Sequence, residues 1–338
     1  MVKDGKKVVY WILTGCLLIF IMVLVGGITR LTHSGLSISN YNLVSGTIPP
    51  LNHEEWQEAF DLYKQFPEYQ KLNSHFTLSD FKSIFFWEWL HRFIGRFIGI
   101  VFILPFIYFL VRGKLTKATI KKCLVLLTLG AFQGFLGWYM VKSGLINRPD
   151  VSHYRLAAHL ITAFLTFAYG FWVTLDLIYP KRKQSIPELR RILWIIMFSL
   201  IVQITWGAFV AGLDAGLIHN YWPFMSEGKF IHETVYIEQQ PMLKNFVEGK
   251  SGVQFVHRYL GYVVVALIVY LWYKSKNINT TKHQTLGIQS LLLLVLLQFT
   301  LGVFTLLLRV PLWLGIAHQV TAFLLLGATT FTLHRSSK

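Results

Sequence analysis

Residues 83–111 read SIFFWEWLHRFIGRFIGIVFILPFIYFLV. The run exceeds the roughly 20 apolar residues that carry a helix across a bilayer. It also holds Glu88, His91 and Arg92, each costly against lipid. A spanning helix that turns these three residues toward protein satisfies both facts. The whole chain points the same way. Of its 338 residues, 54% are hydrophobic and 14% charged, with a mean hydropathy of +0.49. A typical globular protein is roughly 25% charged, so a polytopic membrane protein is expected, with a soluble all-helical protein as the weaker alternative.

Eight apolar runs are long enough to span: 8–29, 84–111, 119–142, 153–179, 191–213, 252–273, 285–308 and 311–333. The expected fold class is an all-α integral membrane protein with eight transmembrane helices. Lys3, Lys6 and Lys7 precede the first run as in a signal peptide. That run extends from about Val8 to Ile28 and no small-x-small cleavage site follows, so it reads as an uncleaved first helix. Cys16 and Cys123 lie inside apolar runs and offer no disulfide framework.

The formal charge of +16 does not indicate nucleic acid, because the basic residues form no stripe or aromatic-interleaved patch. They gather in alternate connections. One side carries Lys6 and Lys7, then Arg112 to Lys122, then Lys181 to Arg191, then Lys274 to Lys282, then Arg335 and Lys338. By the positive-inside rule both termini are cytoplasmic, and the long loops 30–83 and 214–251 lie outside.

The chain repeats itself. EWLHRFIG (88–95) matches QFVHRYLG (254–261), AHLITAFL (158–165) matches AHQVTAFL (317–324), GGITRLTHSGL (26–36) resembles GAFVAGLDAGL (207–217), and QGFLG (133–137) echoes QFTLG (298–302). Two four-helix halves, 1–180 and 181–338, follow. With four helices between copies, both halves have one membrane orientation, a parallel repeat.

Four of the 12 histidines occupy repeat-related positions inside helices: His91 and His159 in the first half, His257 and His318 in the second. Each lies five to seven residues from the external end of its run, about 8–11 Å below the outer surface. Two imidazoles at one depth on facing helices suit a six-coordinate haem iron. Zinc is disfavoured because no third or fourth ligand accompanies either pair. His33 and His153 read as headgroup-level residues. His53, His75, His219, His232, His283 and His334 fall in loops or tails and carry no signal. Arg92 and Arg258 follow His91 and His257, and Arg155 lies four residues before His159, where each is a candidate contact for a haem propionate. Arg30 and Arg309 at external helix ends suit snorkelling.

The copies differ at one telling position. Glu88 precedes His91 by three residues on one helix face, and its counterpart before His257 is Gln254. Glu88 is well inside an apolar run, whereas Asp176 and Asp214 lie at run ends. A buried carboxylate can exchange protons beside a reacting centre; alternatively, Glu88 simply pairs with a neighbouring arginine. On the first reading, the first half is the chemical site and the second the cofactor site.

The chain resembles the heme A synthases, in the form shared by mitochondria and many Gram-negative bacteria. The resemblance rests on GGITRLTHSGLSI, SGTIPPLNHEEWQEAFDLYKQFPEYQ, FFWEWLHRFIGR, VSHYRLAAHLITAF, GAFVAGLDAGLIHNYWPFM, VQFVHRYLGY and GIAHQVTAF, which touch six of the eight runs and both long loops. It implies oxidation of haem O to haem A in the bacterial inner membrane, in support of haem–copper oxidase assembly. A ring methyl becomes formyl through successive hydroxylations and loss of water. It further implies that His91 and His159 hold the substrate haem, that His257 and His318 hold an electron-relaying haem b, and that Glu88 serves catalysis. The electron donor is left unnamed, the enzyme that makes haem O is a sensible partner, and self-association is left open. This chain lacks the external cysteine pair of some relatives, which excludes thiol-based electron delivery, and has His33 where many relatives have Glu. Competing readings are a dihaem b-type electron-transfer cytochrome and, more weakly, a transporter.

Overall fold

The computed structural model describes residues 5–38, 48–144, 151–179 and 185–337, which are helical and contain no β-strand. In chain order the helices are α1 (Lys6–Leu31), α2 (His53–Tyr63), α3 (Leu78–Val111), α4 (Lys117–Gly144), α5 (His153–Ile178), α6 (Pro187–Gly212), α7 (Thr234–Ile237), α8 (Asn245–Glu248), α9 (Lys250–Ser275), α10 (Lys282–Leu307) and α11 (Leu312–Ser336). The eight long ones are each apolar enough to cross a membrane and coincide with the eight expected runs. Of the basic residues that set orientation, Lys3, Lys181, Arg182, Lys183 and Lys338 lie outside the described residues.

The largest departure from the expected boundaries is α3, which starts at Leu78. Thr77 and Asp80 cap it reciprocally, each accepting from the other's backbone N–H. Its 34 residues make a rod of about 50 Å, well beyond the ~30 Å hydrocarbon layer. The first turns therefore project outward and need a partner. The segment expected as a long loop supplies one. Asn52 accepts the Glu55 N–H while Glu55 accepts from Leu51 N–H, which starts α2. Phe60 and Tyr63 of α2 then bury with Phe81, Ile84 and Phe85 of α3.

Pro105 interrupts the hydrogen bonding of α3. Having no N–H, it cannot bond the carbonyl of Val101 one turn earlier, and bare carbonyls are costly in lipid. The indole N–H of Trp11 on α1 donates to that carbonyl at 3.0 Å, amid Phe102, Phe106 and Phe109.

The long helices form two four-helix bundles with one packing scheme. α1 packs on α3 and α5, and α4 on α5; correspondingly α6 packs on α9 and α11, and α10 on α11. The bundles meet through α5 against α6, α1 against α11, and α5 against α11, the pairs that a two-fold pseudo-axis beside α5 and α11 requires. At the external end Arg30 crosses this boundary, donating to the carbonyl of Ala211 and to Asp214 at 3.0 Å. Asp214 and its repeat counterpart His33 share a left-handed backbone, φ 52° and 51°. At the opposite end Asp176 of α5 accepts from Lys122 at 2.6 Å and from His334 of α11 at 3.0 Å. His334, expected to be an uninformative tail residue, is fully buried.

Candidate functional site

Each of the four repeat-related histidines lies against a glycine of a neighbouring helix. A Cβ on Gly26 of α1 would stand 3.1 Å from Cε1 of His91, and one on Gly137 of α4 would stand 3.4 Å from that of His159. In the second bundle the distances are 3.0 Å from Gly207 of α6 to His257 and 2.8 Å from Gly302 of α10 to His318. The physical reason is room: only a residue without a side chain lets a helix backbone approach an imidazole this closely. All four glycines stood inside the repeated stretches GGITRLTHSGL, GAFVAGLDAGL, QGFLG and QFTLG, so the signal was present in the sequence and went unread.

The second bundle brings its histidines together. The rings of His257 and His318 have centroids 6.3 Å apart and planes at 80°. A metal about 2.0–2.1 Å from each nitrogen, with the nitrogen about 1.1 Å from its own ring centre, gives nearly the same span. The Nδ1–H of His257 donates to the carbonyl of Gln203 at 3.2 Å. That fixes the tautomer and leaves Nε2 with its lone pair, the arrangement typical of metal-ligating histidine. Nε2 of His318 lies 3.2 Å from the Gln298 amide nitrogen, so it too is the acceptor nitrogen. The donor set therefore fits a bis-imidazole haem.

The first bundle carries the other pair, His91 and His159. Their Nδ1 atoms are buried without a hydrogen-bond partner, as is Oε1 of Gln133, whose amide donates to the His159 carbonyl at 2.8 Å. Buried polar atoms are normally satisfied, and the second bundle repeats the pattern at Oε1 of Gln203 and Gln298 and Nδ1 of His318, so both bundles keep unsatisfied atoms around their histidines.

The arginines are placed more specifically than their spacing showed. Arg92 donates to the Ile38 carbonyl at 3.0 Å, and Arg258 to the carbonyl of His219, the repeat counterpart of Ile38, at 2.9 Å. Both thus hold the segment that follows α1 or α6. Arg258 also donates to Phe224 at 2.8 Å, and its buried Nε has no partner. The Arg155 guanidinium sits 4.4 Å from the ring centre of Tyr139 on α4.

Glu88 and Gln254 complete this clamp with opposite polarity. The Glu88 carboxylate, 3% exposed, accepts from Ser37 Oγ at 2.7 Å, Ile38 N–H at 2.8 Å and Arg92 at 2.6 Å. The Gln254 amide instead donates to the carbonyls of Ala215 and Ile218. The neighbouring-arginine reading of Glu88 is thus present in the structure, together with two donors 50 and 51 residues away that no local pattern discloses.

Outside the bundles, His219 Nε2 lies 2.9 Å from Ser251 Oγ, which also bonds Glu238, and the His219 ring lies 4.6 Å from that of His232, tilted by 42°. Burial lowers the basicity of His219, and the neighbouring His232 and Arg258 add to the effect.

These features define a multi-pass membrane protein with duplicated histidine-bearing four-helix bundles, chemically differentiated by one acid. A model of the family described as cytochrome oxidase assembly protein matches residues 9–330. The chain is 61% identical to the Heme A synthase of Flavobacterium johnsoniae over the full length of both, and 60% identical to that of Flavobacterium psychrophilum over 99% of this chain and all of the other. It is 41% identical to the Heme A synthase of Parvibaculum lavamentivorans, covering 99% of this chain and 96% of the other. The chain belongs to the cytochrome oxidase assembly protein family.

Proposed function

We propose that the chain oxidises haem O to haem A, the activity its relatives' name denotes, and that the bundles divide the work. Residues 1–180 hold the substrate haem at His91 and His159. Residues 181–338 hold a haem b at His257 and His318. The observation that carries this reading is the set of four glycine-seated histidines, two per bundle, with a carboxylate beside only one pair.

Converting a ring methyl to formyl removes four electrons and four protons overall, with one oxygen gained from water. When bound, haem b supplies one-electron transfer. His91 and His159 orient the substrate, and the glycines Gly26 and Gly137 set how near their helices stand. Glu88 receives a proton at its carboxylate, within a clamp whose Arg92 and Ser37 donors offset the cost of burying charge. Arg92, Arg155 and Arg258 are proposed propionate contacts, supported for Arg258 by its unpartnered Nε. The site lies in the bacterial inner membrane with both termini cytoplasmic. The ends of the long helices that carry Lys6, Lys7, Arg112, Lys117, Arg190, Arg191, Lys274, Lys282 and Arg335 alternate along the chain in support of this. The four electrons released pass to an acceptor external to the chain, and a haem O-making enzyme suits delivery of so apolar a substrate.

The three donors on Glu88 would equally suit an acid that only ties down a loop, as in a dihaem b electron-transfer cytochrome. Haem extraction separates the two. Purified protein should yield haem b together with haem O or haem A. Two equivalents of haem b alone would favour the cytochrome. His257→Ala should lose haem b, and a normal haem b signal from that variant would mean the ligands are misassigned.

A further inference from the structure

The two bundles differ most at one seam. In the second bundle α10 packs closely on both α11 and α9. In the first, its counterpart α4 packs on α5 but only sparsely on α3. The residues at this seam explain why. Gly99 of α3 and Gly130 and Gly134 of α4 have nothing within 4 Å of where a Cβ would stand. Their repeat counterparts are Val265, Val295 and Phe299. Val295 is 2% exposed in a core with Ile268 and Leu291, and the Phe299 ring packs 5.3 Å from Tyr262 of α9 and 6.4 Å from Trp222. One seam is plugged by side chains and the other is left open.

The opening begins at the histidines. On α3, Gly99 lies eight residues below His91 on the same face. On α4, Gly130 and Gly134 lie seven and three residues below Gly137, which seats His159. At 1.5 Å per residue the slot runs roughly 10–12 Å deeper into the membrane from the histidine level. At its head are the buried, unpartnered Nδ1 atoms of His91 and His159. Its outer rim is apolar: Phe93 and Phe97 of α3 and Phe132 and Phe135 of α4 are 37–52% exposed.

We propose that the slot between α3 and α4 receives the isoprenoid tail of the substrate haem and lets the tailed haem pass between bundle and lipid. This rests on the reading that the first bundle holds haem O. The chemistry of the two haems accounts for the asymmetry. Haem O carries a farnesyl-derived chain that cannot fit inside a filled four-helix bundle, and its product must leave after each turnover. Haem b has no such chain and stays, so the second bundle can be closed with Val265, Val295 and Phe299. The rim formed by Phe93, Phe97, Phe132 and Phe135 is apolar, and the bare glycines let the tail seat there without displacing packed side chains.

The test copies the closed seam into the open one. In cells that make haem O, the double variant Gly130→Val/Gly134→Phe should retain one haem b per chain. Its extracted haem O plus haem A, relative to haem b, should fall at least about tenfold (about 1.4 kcal/mol per factor of ten). In cells that make no haem O, the same variant should still take up protohaem at His91 and His159, measured as the His91-dependent second equivalent. An unchanged ratio of haem O plus haem A to haem b overturns the proposal. So does parallel loss of protohaem uptake, which would make the seam a matter of packing. Should the double variant not accumulate, Gly99→Val on the opposite wall carries the same ratio measurement. Absence of haem O and haem A from the unmodified protein would instead refute the underlying assignment of the first bundle.

Discussion

Replacing Glu88 by Gln makes the first bundle resemble the second in sequence but not in hydrogen bonding. Oε2 of Glu88 accepts from Ser37 and Ile38, and Oε1 accepts from Arg92. Glutamine has one acceptor oxygen. It can face Ser37 and Ile38 or it can face Arg92, and its NH2 meets a donor in either case. The side chains of Arg92 and Glu88 are only 9% and 3% exposed. Removing one partner of so buried a pair costs about 3–5 kcal/mol. Part of this is recovered because Arg92 keeps its bond to the Ile38 carbonyl. Arg92 and Ser37 hold the segment 32–38, so the loss should appear there as local opening of about two orders of magnitude, at 1.4 kcal/mol per tenfold.

Two measurements follow for Glu88→Gln. Hydrogen exchange at residues 34–38 should accelerate about a hundredfold while α9 and α11 stay protected. Haem A output should collapse while haem b is retained. Unaltered exchange would refute the clamp, and normal haem A output would refute the catalytic assignment. Ser37→Ala separates the two roles. It leaves the carboxylate with two of its three donors and should loosen the segment by about 1–3 kcal/mol while haem A continues to form. If Ser37→Ala abolishes haem A as completely as Glu88→Gln, the acid acts through the loop and not on a proton.

Three further outcomes are expected. In Gly302→Val the new Cβ would stand 2.8 Å from the His318 ring, an overpacking of about 1–3 kcal/mol; haem b content should fall by at least half, and full content would refute the seating of His318. Asp176→Asn removes the charge shared by Lys122 and His334 and should cost about 1–3 kcal/mol, less than a fully buried pair because Lys122 is partly exposed; an unchanged melting temperature in detergent would refute it. For His219 the folded basicity lies below the ordinary value of 6.5, so the unfolded segment binds the proton more readily. The stabilisation is complete above about pH 6.5 and is lost as pH falls below it. Intrinsic-rate-corrected exchange in residues 215–251 should therefore be faster at about pH 5.5 than at about pH 7.5, and His219→Gln should flatten the difference; equal protection at both values in the unmodified protein would count against it.

The fold was legible because membrane insertion is a crude filter. Length and hydropathy alone set the eight helices, and a duplicated sequence must pair its copies alike. The four histidines stood out for the same reason, as residues at matched positions in both copies, and the structure seats each of them against a glycine. What escaped was whatever depends on distance along the chain. Arg92 stood four residues from Glu88 and could be weighed as its partner, while Ser37 and Ile38 stood about fifty residues away. The external overhang of α3 was missed because hydropathy falls at Ser83 although the helix does not end there; Thr77 and Asp80 carried the boundary. His334 read as a tail residue because its partner Asp176 belongs to the other bundle.

The glycines are the instructive case. Gly26, Gly137, Gly207 and Gly302 recur with the histidines in both copies, whereas Gly99, Gly130 and Gly134 occur in one copy only. A glycine kept in both repeats serves what the bundles share, here the seating of an imidazole. A glycine present in one repeat, opposite a valine or phenylalanine in the other, serves what they do not share. Glu88 against Gln254 obeys the same logic, with one refinement from the structure: the surrounding loop changes with it, presenting donors to the acid and carbonyls to the amide. The exchange is therefore a matched change of side chain and loop, so transferring chemistry from one bundle to the other requires altering Ser37 and its neighbours along with the residue before the histidine.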